Sequence, residues 1–313
     1  MSADASSDAI TGVKIDSTFG CLYIGTTIAM GLWGAGTIQV YYYFDKYKDS
    51  TFLRAHVFTV WVLDTLHQAF LLESTYLYLV TNYGSAKNLT ALNKPIRDSI
   101  ILTALICGLV QSMFVVRIYR LSKRNLIVTG VIIILVLAQF ISTLIYYIKC
   151  YHFTEFSELL TIFTLTRVIN STTALADASI ALVLVYLLQS SRSGFKRSDT
   201  IINRLIAFAI NTGLITGVCA IISLITGLTL PNTLVYIMFY VTLSRLYMNS
   251  MLASLNSRKN LHGNVVDSSS QGPVSISMND MRTGAQSQGK TAPRIVNIKV
   301  DTETILDNSG SAY

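Results

Sequence analysis

The residues with chemistry to offer are ionisable and amide side chains set inside long apolar stretches. Asp64 and His67 stand in one stretch, Arg167, Asn170 and Asp177 in a second, Arg245 and Asn249 in a third. On a helix Asp64 and His67 are about 60° apart, with Gln68 close by and Trp61 on the same side. Asn170 and Asp177 are about 20° apart, and Arg167 lies within about 80° of both. Thr242, Arg245 and Asn249 make a comparable stripe. A charge at mid-bilayer costs on the order of 2.5–3.5 kcal/mol, so such groups face a bundle interior and have partners there. By depth Asp64, Asp177 and Arg245 share one layer, and Arg245 is expected to neutralise one of the two aspartates. Glu73, about 180° round from Asp64, either snorkels outward or meets Arg167. Two readings of the set stand side by side: a small-ligand or ion site, and a polar lock that holds the bundle together. His67 alone reads as a satisfied core residue.

Other chemistries lack their residues. The apolar stretches hold one His, too few ligands for a zinc hydrolase, and no metal site is expected. No phosphate-binding glycine loop or nucleophile elbow occurs, so neither a cofactor nor an enzymatic reaction is read from the chain. Residues 233–254 contain no Lys for a retinal Schiff base. The run Arg117-Ile118-Tyr119-Arg120 lacks the acid of a rhodopsin-like receptor triplet, and Asn249-Ser250-Met251 lacks the Pro of that class's last helix.

The elements that must position these side chains follow from composition. Hydrophobic residues make up 51% and charged ones 13%, about half the charge of a soluble domain. From Leu205 to Ser244 there is no Lys, Arg, Asp or Glu, a length that two helices divide at Gly227–Thr233, where Pro231 and Asn232 favour a turn. The same reading along the chain gives spans at about 17–43, 55–80, 99–116, 125–148, 159–189, 205–229 and 233–254. The expectation is an all-α, seven-transmembrane-helix bundle over 17–254, preceded by an extracellular or lumenal N-terminus (1–16) and followed by a disordered cytoplasmic tail (255–313). Small-xxx-small spacings at Gly25/Ala29, Gly31/Ala35 and Gly213/Gly217 allow close helix approach. Cys21 and Cys150 fall near the same expected face and either pair or remain, with Cys107 and Cys219, ordinary thiols.

Charge sets the expected orientation. The N-terminus and the second, fourth and sixth loops carry Lys14, Lys87, Lys94, Arg97 and Lys149, 5 basic residues against 13 on the other side. The positive-inside rule puts the N-terminus outside and the C-terminus in the cytoplasm. The sequon Asn88-Leu89-Thr90 then falls outside, which makes Asn88 the expected glycosylation site. The net charge of +7 is thereby assigned to topology and cytoplasmic contacts, not to nucleic acid.

The segments Asn232-Thr233, Phe239-Tyr240, Leu243-Ser244-Arg245-Leu246-Tyr247, Asn249-Ser250 and Leu255-Asn256-Ser257-Arg258 resemble the closing motif of a large family of uncharacterised multi-pass proteins from basidiomycete fungi, a domain of unknown function. Gly36–Phe44, Trp61–His67 and Ala176-Asp177 add to the resemblance, which covers roughly residues 15–260. It implies a seven-helix membrane fold and supplies no activity. The expected protein is receptor-like or sensory, in the plasma membrane or an endomembrane, with a small ligand in the bundle. Its basic loops would meet a cytoplasmic protein or anionic lipid. A proton- or ion-coupled transporter and a non-catalytic scaffold are the alternatives.

Overall fold

A computed structural model describes residues 16–257 apart from 84, 86–89, 193–195 and 231–232, all within the unit Met1–Ser268. Asn88, Pro231, Asn232 and the tail expected to be disordered lie outside the described residues. The described chain is helical: α1 Cys21–Lys46, α2 Thr51–Tyr76, α3 Lys94–Leu121, α4 Leu126–Tyr151, α5 Phe163–Ser190, α6 Lys196–Thr229 and α7 Val235–Asn256. Four stretches, Thr18–Lys46, Lys94–Leu121, Leu126–Tyr151 and Phe156–Ser190, are long and apolar enough to cross a membrane. By length and composition this is a multi-pass membrane protein.

Local chemistry explains the helix ends. Asn93 caps α3 by accepting from the Ile96 N–H, and Pro95 occupies the first turn, where its missing N–H costs nothing. Asn125 caps α4 by accepting from Ile127 and Val128. Between α3 and α4 the chain reverses through Lys123 and Arg124, at φ 54° and 66°. Two successive side-chain-bearing residues in the left-handed region make this a strained turn. Helix α5 is preceded by a tighter 3₁₀ turn, Phe156–Ile162, which overlaps the start of the span expected over about 159–189. Helix α6 begins at Lys196, well before the expected 205, and its 34 residues extend about 51 Å. That exceeds a hydrocarbon core of about 30 Å, so its charged first turns do not belong to the apolar part.

Each helix packs against the next in sequence, and α1 closes the ring on α7. Helix α7 also reaches α2 and α3, which places it toward the middle. Its buried side chains Tyr247, Met248, Met251 and Leu252 join Tyr43, Val57, Val60, Ile106 and Val110 in the main core. The exposure pattern of α2 is inverted relative to a water-soluble helix. Asp64, His67 and Gln68 are buried, while Phe58, Val62 and Leu66 are 43–52% exposed. Polar groups inward and an apolar stripe outward suit a hydrocarbon surround.

Glycine spacing is used selectively. A Cβ on Gly25 would lie 2.9 Å from the Met238 Cα, so α1 and α7 approach to backbone contact there. Gly213 meets Ala181 in the same way between α6 and α5. Gly31 and Gly217 have no such neighbour, and Gly31 and Ala35 are exposed, so the Gly31/Ala35 spacing carries no helix contact and the Gly213/Gly217 spacing carries one at Gly213 alone. No disulfide forms among the described residues, and Cys21 and Cys150 are not joined.

Candidate functional site: two buried carboxylates and a cavity

Helix α7 presents Arg245 to α2, and the side chain is entirely buried. Its guanidinium forms an ion pair with the Asp64 carboxylate. Nη1 also donates to the Asp64 carbonyl at 2.7 Å, and Nη2 donates to His67 Nδ1 at 2.9 Å and to Gln68 Oε1 at 3.1 Å. Because Nδ1 accepts, the His67 proton is on Nε2, which lies 3.0 Å from Thr103 Oγ1. Thr103 in turn donates to the Ser99 carbonyl at 3.0 Å. An acid on α2, a guanidinium on α7, an imidazole on α2 and a hydroxyl on α3 thus follow one another. Arg245 Nε and Gln68 Nε2 have no acceptor among the described residues.

Asp177, on α5, has a different setting. The Tyr247 hydroxyl donates to Oδ2 at 2.5 Å, and Gln111 Nε2 donates to Oδ1 at 3.2 Å and to Gln139 Oε1 at 2.9 Å. Thr216 on α6 hydrogen-bonds the same carboxylate. No cationic side chain touches Asp177 among the described residues. Of the two aspartates expected to compete for Arg245, Asp64 is the one that meets it.

The remaining expected site residues are dispersed. Asn249 ties α7 to α1: its Nδ2 donates to the Leu32 carbonyl at 3.0 Å and its Oδ1 accepts from Gln39 Nε2 at 2.8 Å. Arg167 is exposed, its guanidinium 5.1 Å from the Phe163 ring, and stands outside both clusters. Glu73 is also exposed and makes no ion pair with Arg167. The physical reason is rotation. Arg167 is about 80° off the Asn170–Asp177 direction, enough to turn a long side chain to the outer face.

Asn170 is buried but lines a separate cavity of about 70 Å³. The walls come from α3 (Ile96, Ser99, Ile100), α4 (Tyr146), α5 (Thr166, Ile169, Asn170), α6 (Ser223) and α7 (Tyr236, Ile237, Tyr240, Val241), with Leu92, Phe156 and Leu159 at one end. That volume is several times the roughly 10–15 Å³ one water needs. The lining has hydroxyls and one amide but no charged side chain. Tyr240 adjoins Thr103, and Ser99 belongs both to the wall and to the Arg245 chain. Gln111, Gln139, Tyr247 and the three cavity tyrosines escape a search confined to ionisable groups and Asn. Uncharged amides amid apolar spans were the available signal, since each needs a partner in hydrocarbon.

A family model described as a family of unknown function (DUF6534) matches residues 173–260. The match takes in most of α5 together with α6 and α7, and so includes Asp177, Arg245 and Tyr247; it is shorter than the resemblance suggests. No curated protein and no solved structure matches the chain.

Proposed function

We propose that this protein is a seven-pass membrane receptor that holds an uncharged, mainly apolar small molecule between α3, α4, α5, α6 and α7. The cavity carries this reading. A space walled by five helices, rich in aromatic and aliphatic surface with a few convergent polar groups, has the character of a small-molecule site. Its polar atoms belong to Tyr, Ser, Thr and Asn, so they reward a hydroxyl or carbonyl and offer no counter-charge to an ion.

The same wall gives the site an output. A ligand hydrogen-bonded at Ser99 or Tyr240 acts one residue away from the Thr103–His67–Arg245–Asp64 chain, which joins α3, α2 and α7. Seven crossings with the N-terminus outside are supported by the basic-residue asymmetry and by the inverted exposure of α2. In that orientation the cavity, near Leu92 and Phe156, belongs to the outer half.

The test uses purified protein in nanodiscs and a size-matched series of propanol, propionate and propylammonium, small enough for about 70 Å³. Propanol is expected to raise the unfolding temperature saturably, and the two ions are not. Asn170→Trp, which fills the cavity, is expected to abolish the propanol response. An equal response in that variant, or a preference for either ion, would sink the reading. The orientation is checked separately by glycan on Asn88 and by protease access to the C-terminal tail from the cytoplasmic side.

A further inference from the structure

The cavity of about 70 Å³ has an amide to spare. Asn170 is 8% exposed, and the surface it keeps belongs to the cavity wall. Its side chain makes no hydrogen bond among the described residues, and neither amide atom is among the polar atoms sealed off without a partner. Most other polar groups of the wall are engaged. Ser99 donates to the Ile96 carbonyl at 2.6 Å, and Ser223 donates to the Tyr236 carbonyl at 3.3 Å. The Tyr146 hydroxyl meets Thr166, and the Tyr240 hydroxyl meets Thr103. Besides Asn170, the Tyr236 hydroxyl alone is unengaged among the described residues of the wall. A buried amide without a partner is costly, where an apolar side chain of similar outline would not be. Such a group calls for a partner from outside the chain.

The shape of the amide decides which partner fits. It is planar, with an acceptor, Oδ1, and a donor, Nδ2, on one edge. Matching both at once takes a group that carries an N–H and a C=O side by side. A primary carboxamide does so, and so does a lactam, whose ring holds the amide cis. An open secondary amide does not, because its trans geometry sets the N–H and the C=O on opposite sides. An ester only accepts, and leaves Oδ1 without a donor. We infer, resting on the receptor reading above, that the ligand presents a primary carboxamide or lactam edge, paired with the Asn170 amide through two reciprocal hydrogen bonds. The volume limits that ligand to about five non-hydrogen atoms.

The experiment compares two isomers, propionamide and N-methylacetamide, with propanol as a third probe. The isomers contain the same atoms and differ in whether N–H and C=O share an edge. Each probe is titrated against the full chain in nanodiscs by saturation-transfer NMR, with empty nanodiscs as the blank. Propionamide is expected to half-saturate at a concentration about fivefold below that of N-methylacetamide, the worth of one hydrogen bond. In Asn170→Leu the isomers are expected to half-saturate together. That variant is also expected to unfold no earlier than the wild type, since the side chain gives up no hydrogen bond within the protein. Equal affinities of the isomers for the wild type, with propanol still saturating, would overturn the inference and leave the receptor reading standing. Saturation by none of the three would remove both. A preference for propionamide that persists in Asn170→Leu would also defeat it, by placing the amide partner elsewhere. A lowered unfolding midpoint in that variant would do the same, by showing that Asn170 holds the fold.

Discussion

Arg245 and Tyr247 are two residues apart on α7, and each meets an aspartate on a different helix. The Arg245 cluster is complete in charge: one guanidinium and one carboxylate, with His67 and Gln68 accepting from Nη2. The Asp177 cluster is complete in hydrogen bonds but not in charge, since its donors are Tyr247, Gln111 and Thr216. Residues of the same type, in one helical bundle, are therefore solved in two ways. A matched pair resists change, because removing either member strands the other. A carboxyl held only by neutral groups leaves no buried charge behind when one of its partners is removed. That difference separates a charged lock between α2 and α7 from a hydrogen-bonded seam that joins α3, α5, α6 and α7.

The sharpest way to break the comparison is at the lock. Arg245→Ala is expected to destabilise the protein by about 3–5 kcal/mol, and Arg245→Lys by less. Adding Asp64→Asn should recover part of the loss, whereas adding Asp177→Asn should recover none. Denaturation midpoints of these variants and of the single changes Asp64→Asn and Asp177→Asn, combined in two double-mutant cycles, check this, and coupling of Arg245 to Asp177 would contradict the division. Next is the neutral cluster. Tyr247→Phe removes one hydrogen bond to the Asp177 carboxyl and is expected to cost about 0.5–1.5 kcal/mol, by the same measurement.

Packing supplies a contrast of comparable size. Gly25→Ala drives a methyl against the Met238 backbone and is expected to cost about 1–3 kcal/mol. Gly31→Ala meets nothing and should be neutral or stabilising by up to about 1 kcal/mol, through helix propensity. The smallest effect expected is at the strained turn. Lys123→Gly relieves a left-handed residue and should raise stability by about 1 kcal/mol. Neutralising Lys123 and Arg124 together, both exposed, tests whether that turn holds anionic lipid: co-purified lipid should then lose acidic species.

The helices were legible because apolar length and absence of charge are local properties. Their ends were less so. Helix α6 runs back to Lys196 through residues whose charge reads as a loop, since charge alone does not stop a helix that extends beyond the hydrocarbon. Depth was readable from residue number, and it correctly put Arg245 within reach of an aspartate. Which aspartate depended on the rotation of α2 and α5 about their own axes, and this is set by packing against other helices. Arg167 shows the cost of that ignorance: its residue type suggests an interior partner, and its angle sends it outward. The cavity had no sequence signal as such, because it is a space where five separate helices fail to meet.

One further consequence comes from the contacts of the first helix with the last. Gln39 donates to Asn249, Asn256 donates to the Gln39 carbonyl, and the Tyr47 hydroxyl donates to the Asn256 carbonyl at 2.6 Å. Gln39 and Asn249 are 210 residues apart. At about 5–20 residues per second, the ribosome makes the second roughly 10–40 s after the first. During that interval Gln39 is without either of its α7 partners. The seam between α1 and α7 therefore closes only once a chain carries both helices, which makes it the latest of these polar contacts to form.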